Sequence, residues 1–165
     1  MATDQKTSWK KEKEKVNFAT LRCIICFMTP QLDSKLIEKY PKILSKLGYT
    51  ECSDGWYDVI DVLCNQIQSY IDHKVKYSEM SDEDKEALQV VAVQVKTKFG
   101  GLRFYSNGGD DITDGMIRMA EGISYRVCEY CAAKASKKNN LGWIHTACQS
   151  CFDGMVRRKI EHGES

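Results

Sequence analysis

Two different periods of apolar residues divide the chain. In QLDSKLIEKYPKILSKLGY, Leu32, Leu36, Ile37, Tyr40, Ile43, Leu44 and Leu47 recur at the spacing of one helix face. Pro41 interrupts that run. Its ring removes a helical hydrogen bond, so it either kinks the helix or opens a second one at its first position. Gly48 reads as a C-terminal stop. In ECSDGWYDVIDVLCNQIQSYIDHK, one face carries Trp56, Ile60, Leu63, Ile67, Tyr70 and Ile71. The other carries Asp54, Asp58, Asp61, Asn65, Gln68 and Asp72, which predicts an amphipathic helix capped by Ser53 or Asp54. Ser81 with Asp84 three residues on marks the start of a short helix.

The period then changes. In VVAVQVKTKF the residues Val91, Val93, Val95, Thr97 and Phe99 alternate, as a strand does. Gly100-Gly101 suits a two-residue hairpin turn, because glycine takes positive φ at both positions, and LRFY reads as the return strand. This turn pairs Phe99 with Leu102, Lys98 with Arg103, Thr97 with Phe104 and Lys96 with Tyr105. Val95, Thr97, Phe99, Leu102 and Phe104 then face the core, and Gln94, Lys96, Lys98, Arg103 and Tyr105 face outward. Like charges opposite one another destabilise a sheet. Lys98 facing Arg103 therefore calls for an anion or an acidic partner between them. A basic strand face with an aromatic suits phosphate and base together; the plainer alternative is a solvated face with acidic neighbours. After the turn SNGGDD, the helix ITDGMIRMAEGISYRV is expected to bury Ile112, Met116, Met119, Ile123 and Val127, with Asp110 or Asp111 as cap.

That helix leads into the strongest motif. Four of the eight cysteines fall as Cys128-x-x-Cys131 and Cys148-x-x-Cys151, sixteen residues apart. Each pair presents two thiolates within one turn, so a single Zn²⁺ can take two sulfurs from each and be tetrahedral, the spacing of a zinc ribbon. A four-thiolate shell leaves no open position, so the expected ion is structural. Ribbon knuckles often have glycine after the second cysteine, where this chain has Ala132 and Phe152. GWIHTA reads as a strand returning to the second pair, and His145 is an alternative ligand. The ribbon adds Lys134, Lys137 and Lys138, and the tail adds Arg157, Arg158 and Lys159, to the basic residues of the hairpin. Of the other cysteines, Cys23, Cys26, Cys52 and Cys64 either pack in the core or form a second metal site.

Charge narrows the partners. The chain has 24 basic and 23 acidic residues, a formal net charge of +1, so a nucleic-acid surface has to be local. No apolar run approaches the ~20 residues of a membrane helix. The N-terminus has charges but no apolar stretch behind them, so it does not read as a secretory signal. A reducing cytoplasm is expected, where cysteines serve as thiolate ligands or buried thiols. No serine–histidine–aspartate order, phosphate loop or nucleotide fingerprint is present. The aspartate stripe of the Trp56 helix is a candidate second metal site, although a solvated helix face explains it; otherwise the expectation is a non-enzyme.

The stretches DGWYDVIDVLCNQIQ, QVKTKFGGLRFY and VCEYC with GWIHTACQSC together resemble a family of small proteins encoded by bacteriophages and prophages, over roughly residues 35 to 152. The resemblance implies a single α+β domain ending in a zinc-binding lobe, in a bacterial host cytoplasm. It brings no activity, substrate or catalytic residue. Where this chain has Ser53, the family pattern suggests glycine. The expected organisation is a charged arm (1–17), an α+β core of helices on a small antiparallel hairpin or sheet (18–127), a zinc-ribbon lobe (128–152) and a basic tail (153–165). The expected function is a phage accessory protein with one structural Zn²⁺. It would bind nucleic acid or another polyanion through Gln94, Lys96, Lys98, Arg103, Tyr105, Lys137 and Lys138. The alternatives are a protein–protein inhibitor of a host or anti-phage defence factor, and a metal-dependent enzyme.

Overall fold

The computed structural model describes residues 27–139 and 142–161. The predicted N-terminal arm, the pair Cys23 and Cys26, and the last four residues of the predicted basic tail lie outside the described residues. The fold is α+β. Helices α1 (Pro30–Lys39) and α2 (Pro41–Leu44) are followed by a 3₁₀ turn (Asp54–Trp56) that runs into the long α3 (Tyr57–Tyr77). Then come α4 (Asp82–Leu88), strands β1 (Val91–Lys98) and β2 (Gly101–Asn107), and α5 (Asp111–Ser124). Strands β3 (Ser136–Asn139) and β4 (Ile144–Ala147) form a second hairpin, and α6 (Gln149–Glu161) closes the order. Pro41 opens α2 at its first position, one of the two outcomes its ring allows, and α2 ends four residues before Gly48.

The core lies between α3 and the first sheet. Trp56, Ile60, Leu63, Ile67 and Ile71 are buried, as the helical period predicts, against Leu36, Ile43 and Leu44. The sheet adds Val90, Ala92, Val95, Leu102 and Phe104, and α5 adds Ile117 and Ala120. Cys52 and Cys64 belong to this core, and burial pushes the Cys64 thiol up to about 12. Both edges of the two-stranded sheet are occupied. On the β1 side, Glu51 N donates to Val95 O (2.8 Å) and Thr97 N donates to Glu51 O (2.9 Å). On the β2 side, Leu102 N donates to Ser124 Oγ (2.9 Å) and Phe104 N to Glu121 Oε1 (3.0 Å).

The turn lies one residue earlier than expected, so each β1 residue from Gln94 to Lys98 faces a partner two residues earlier in β2, and the faces are kept. Lys98 faces Gly101, Thr97 faces Leu102, Lys96 faces Arg103 and Gln94 faces Tyr105. The turn residues are Phe99 and Gly100, with φ of 52° and 70°, the two positive values a tight hairpin requires. Gly101 is held in the strand because a Cβ there would lie 2.4 Å from the Tyr125 ring. Phe99, expected in the core, is 66% exposed. A bulge between Ala92 and Gln94 shifts the alternation, so Ala92 and Val95 are both buried and Val93 is exposed.

Helix α5 is rotated from its expected orientation. It buries Thr113, Ile117, Ala120 and Ser124 and leaves Ile112, Met119 and Ile123 exposed. The polar buried stripe is favoured by its partners: Ser124 and the neighbouring Glu121 meet β2 amides, and Thr113 completes the capping box with Asp110. The second oxygen of Asp110 accepts from Tyr70 Oη (2.6 Å) and Lys74 Nζ (2.8 Å), joining α5 to α3. Burial alone would raise the Asp110 carboxyl, but Lys74, Tyr70 and the Thr113 amide hold it well below the usual carboxylate range.

A depressed carboxyl contributes stability above its ordinary value near 3.8 and loses it as pH falls further. Asp110→Ala is therefore expected to cost about 1–2 kcal/mol at neutral pH, from the lost cap and ion pair. It should also flatten the acid limb of stability below pH ~4. Urea titrations of both proteins across that range check this.

Candidate metal centre and the basic hairpin face

The first cysteine pair follows α5 through a short turn. Cys128 N donates to Ala133 O (2.7 Å) and Ala132 N donates back to Cys128 O (3.0 Å), which wraps the chain into a knuckle. Ala132, at the position where glycine was expected, adopts φ 62°. An L residue there costs about 1–2 kcal/mol, so the knuckle is closed against local preference.

The second pair is built differently from a ribbon knuckle. Cys148 follows β4 and directly precedes α6, and Cys151 lies in the first turn of that helix. Cys151 N donates to Cys148 Sγ (3.4 Å). The residues expected as a basic tail continue this helix to Glu161. The lobe is thus a knuckle, a hairpin and a helix start, with a small core of Cys128, Ala147 and Phe152.

The four sulfurs of Cys128, Cys131, Cys148 and Cys151 all lie within 4.8 Å of one another, and those of Cys131 and Cys148 are 3.6 Å apart. Tetrahedral thiolates around an ion at ~2.3 Å stand ~3.8 Å apart, so the cluster can hold one metal ion. The backbone amide of Cys151 pulls Cys148 down to about 7, while burial and then the neighbouring thiols push Cys151 up. A central cation would stabilise the thiolate form and so offset the resistance at Cys151. His145, the alternative ligand, instead has Nδ1 at 2.8 Å from Tyr130 Oη, and burial lowers its pKa. The aspartate stripe does not gather a second site. Asp61 pairs with Lys39 (2.7 Å), Asp72 with Lys42 (3.2 Å), and Asp54 Oδ1 accepts from Thr29 N (2.6 Å). Among the described residues the four cysteines are the one group of this kind.

The knuckle is locked to the main core. A Cβ on Gly55 would sit 2.2 Å from Cys128 O and 2.7 Å from Ala132 N. Gly55 N donates to Glu129 O (2.8 Å), and Trp56 Nε1 donates to Val127 O (2.9 Å). The buried Glu129 carboxylate accepts from Ser53 N (3.4 Å) and from Thr97 Oγ1. Thr146 Oγ1 donates to Gly100 O, and a Cβ on Gly100 would lie 2.8 Å from Ile144 Cγ2. The DGW turn, the FGG turn and the CEYC knuckle therefore meet at one junction. Glu129 and Thr146 had no recognisable signal in the sequence.

The hairpin residues separate into those that converge with the lobe and those that do not. Arg103 Nη2 donates to Tyr125 Oη (2.7 Å), and Lys137 Nζ stands 4.0 Å from the centre of the same ring. Lys96 faces Arg103 across the strands, and its Nζ is 5.5 Å from the Tyr105 ring. Lys96, Arg103, Tyr105 and Lys137 thus form one strip, which Tyr125 bridges. Lys98 lies at the hairpin end, over Phe99 (5.6 Å). Glu121 stands 3.5 Å from Arg103 and supplies the acidic neighbour that the strand face was expected to need. Gln94 is turned to Glu51 (2.8 Å), and Lys138 points from the other side of β3 to Gln149 (3.0 Å) and Phe152. Tyr125 was missed because it reads as the end of a helix; only the rotation of α5 brings it to the hairpin.

Set against protein-family models, curated proteins and solved structures, the chain gives no match.

Two glycine exchanges test the lobe in opposite directions. Gly55→Ala is expected to destabilise the protein by about 2 kcal/mol, because backbone stands where the methyl group would go. Ala132→Gly is expected to stabilise the metal-loaded protein by about 0.5 kcal/mol, relief of the positive φ outweighing the added chain entropy. Thermal melts of the three proteins, each with matched metal content, decide both.

Proposed function

We propose that the protein holds one structural Zn²⁺ in its cysteine cluster and binds single-stranded nucleic acid along the strip beside it. The observation that supports this most directly is the Tyr125 bridge, which joins Arg103 of the hairpin, the strand partner of Lys96, to Lys137 of the cysteine lobe. Glu121 offsets one of these cations, and Lys96, Lys98 and Lys137 supply the local excess that a chain of near-zero net charge otherwise lacks. Phe99 is 66% exposed and Tyr105 40% exposed, each with a lysine Nζ within 5.6 Å of its ring centre. Flat rings beside flexible ammonium groups suit splayed bases with an adjacent phosphate chain, rather than a stacked duplex. For the metal, four thiolates favour a soft, tetrahedral ion, and zinc meets that demand without redox chemistry. A closed shell of this kind stabilises the lobe and needs no catalytic residue.

The resemblance to phage-encoded proteins supports an accessory role in the bacterial host cytoplasm. The same exposed rings and lysines also suit an acidic host or defence protein, which is the second reading.

The test is a salt series with the zinc-loaded protein and labelled single-stranded DNA, RNA and duplex DNA. Lys96→Ala with Lys137→Ala should weaken single-strand binding and reduce its salt slope by about 0.7 for each phosphate no longer neutralised. Arg103 is a poorer choice, because its loss would also release Tyr125. Absence of binding at low salt would sink the nucleic-acid reading. A stoichiometric host complex that survives nuclease would then support the second. Elemental analysis giving one zinc per chain, lost on mutation of Cys131, checks the metal.

A further inference from the structure

The rotation of α5 leaves an apolar face without cover among the described residues. Ile112, Met119 and Ile123 lie on one side of that helix, 52%, 63% and 45% exposed, with Met116 partly buried at its border. Together they form a ridge. Beside the ridge, two turns apart, are the exposed Gly115 and Gly122, and a Cβ built on either would meet nothing within 4 Å. The helix surface is therefore a ridge of large side chains next to a shallow groove with no side chains. Glycine inside a helix costs about 1 kcal/mol relative to alanine, and no neighbour among the described residues requires it at these two positions.

The charges on this surface are polarised. Asp111 and Asp114 are exposed near its start, and Arg118 and Arg126 are exposed at its middle and just past its end. None of the four takes part in an ion pair among the described residues. A surface that is acidic at one end and basic at the other complements a copy of itself laid antiparallel. The helix dipoles also favour that direction. A two-fold axis between Arg118 and Met119 would bring Gly115 of each copy opposite Gly122 of the other, and Asp111 opposite Arg126. The ridge of each copy would then enter the groove of its partner. Close helix approach over small residues and self-complementary contacts are what a two-fold interface demands.

We infer that α5 is a self-association surface, on which a second copy of this chain packs antiparallel about Met119. The inference is independent of the nucleic-acid reading, because Lys96, Lys98, Lys137 and Tyr105 are not on this face.

The test uses the full zinc-loaded chain in sedimentation equilibrium at low salt. Wild type should show a reversible monomer–dimer equilibrium. Gly122→Leu should fill the groove and abolish the dimer while keeping the monomer's circular dichroism and raising its melting temperature slightly, since a helical glycine is lost and a Cβ there meets nothing. Met119→Glu should also abolish the dimer. Asp111→Arg and Arg126→Asp, each alone, place like charges together twice per dimer and should weaken association roughly tenfold. An equimolar mixture of those two variants restores both opposite-charge pairs and should form a heterodimer with near wild-type affinity. A wild-type chain that stays monomeric overturns the inference. So does a dimer indifferent to Gly122→Leu, or a charge-reversed mixture that gains nothing. A monomer whose Met119 resists peroxide would assign the cover to the chain's own first 26 residues instead.

Discussion

The close approach of Gly55 to the backbone of the first cysteine knuckle is the contact on which the rest of the structure depends. No side chain fits between them, and the amide of Gly55 and the indole of Trp56 both donate into the segment just before and within the knuckle. Trp56 is also fully buried in the main core. The same short turn therefore fills the centre of the α+β body and fixes the position of the first two cysteines. Glu129 adds to this by reaching back to Ser53 and Thr97.

The lobe needs such an anchor, because its own core consists of only Cys128, Ala147 and Phe152 with partly buried neighbours. A core this small does not offset the entropy of ordering the chain. The docked knuckle supplies part of the difference, and a metal ion held by the four cysteines would supply more. The knuckle is held in place from the core side, while the second pair arrives on the β3–β4 hairpin and the start of α6. A cation bound by all four cysteines would therefore favour bringing the two pairs together. The second hairpin is in turn clamped by the Gly100 turn through Ile144 and Thr146, so the lobe and the first sheet act as one surface.

That surface explains how a chain of near-zero net charge can still present a basic strip. The strip is not assembled by clustering along the sequence. It depends on Tyr125 packing over Gly101, which brings Arg103 and Lys137 to one ring although they are far apart in the chain. The same rotation of α5 that delivers Tyr125 turns Ile112, Met119 and Ile123 outward. A shared rigid-body choice thus creates both the strip and the exposed ridge.

The sequence by itself determined the elements with a strong local period or local chemistry. The α3 core stripe, the Ser81 cap, the strand pair and the cysteine quartet follow from spacing that acts within a few residues, whereas local rules left two outcomes at Pro41 and two candidate caps, Asp110 and Asp111, for α5. The outward set Gln94, Lys96, Arg103 and Tyr105 was legible for the same reason, since strand alternation survives a change of turn. Tertiary structure decided what local rules left degenerate. Gly100 and Gly101 both satisfy a turn, and the ring of Tyr125 selects which one stays in the strand. Helix α5 has an apolar stripe and a mixed polar stripe, and the β2 amides select the polar one through Glu121 and Ser124. An unpaired buried amide costs more than an exposed methionine, so hydrogen-bond satisfaction overrode the hydrophobic pattern. For the same reason Glu129 and Thr146 carried no signal in the sequence: their partners lie in distant segments that only folding brings together.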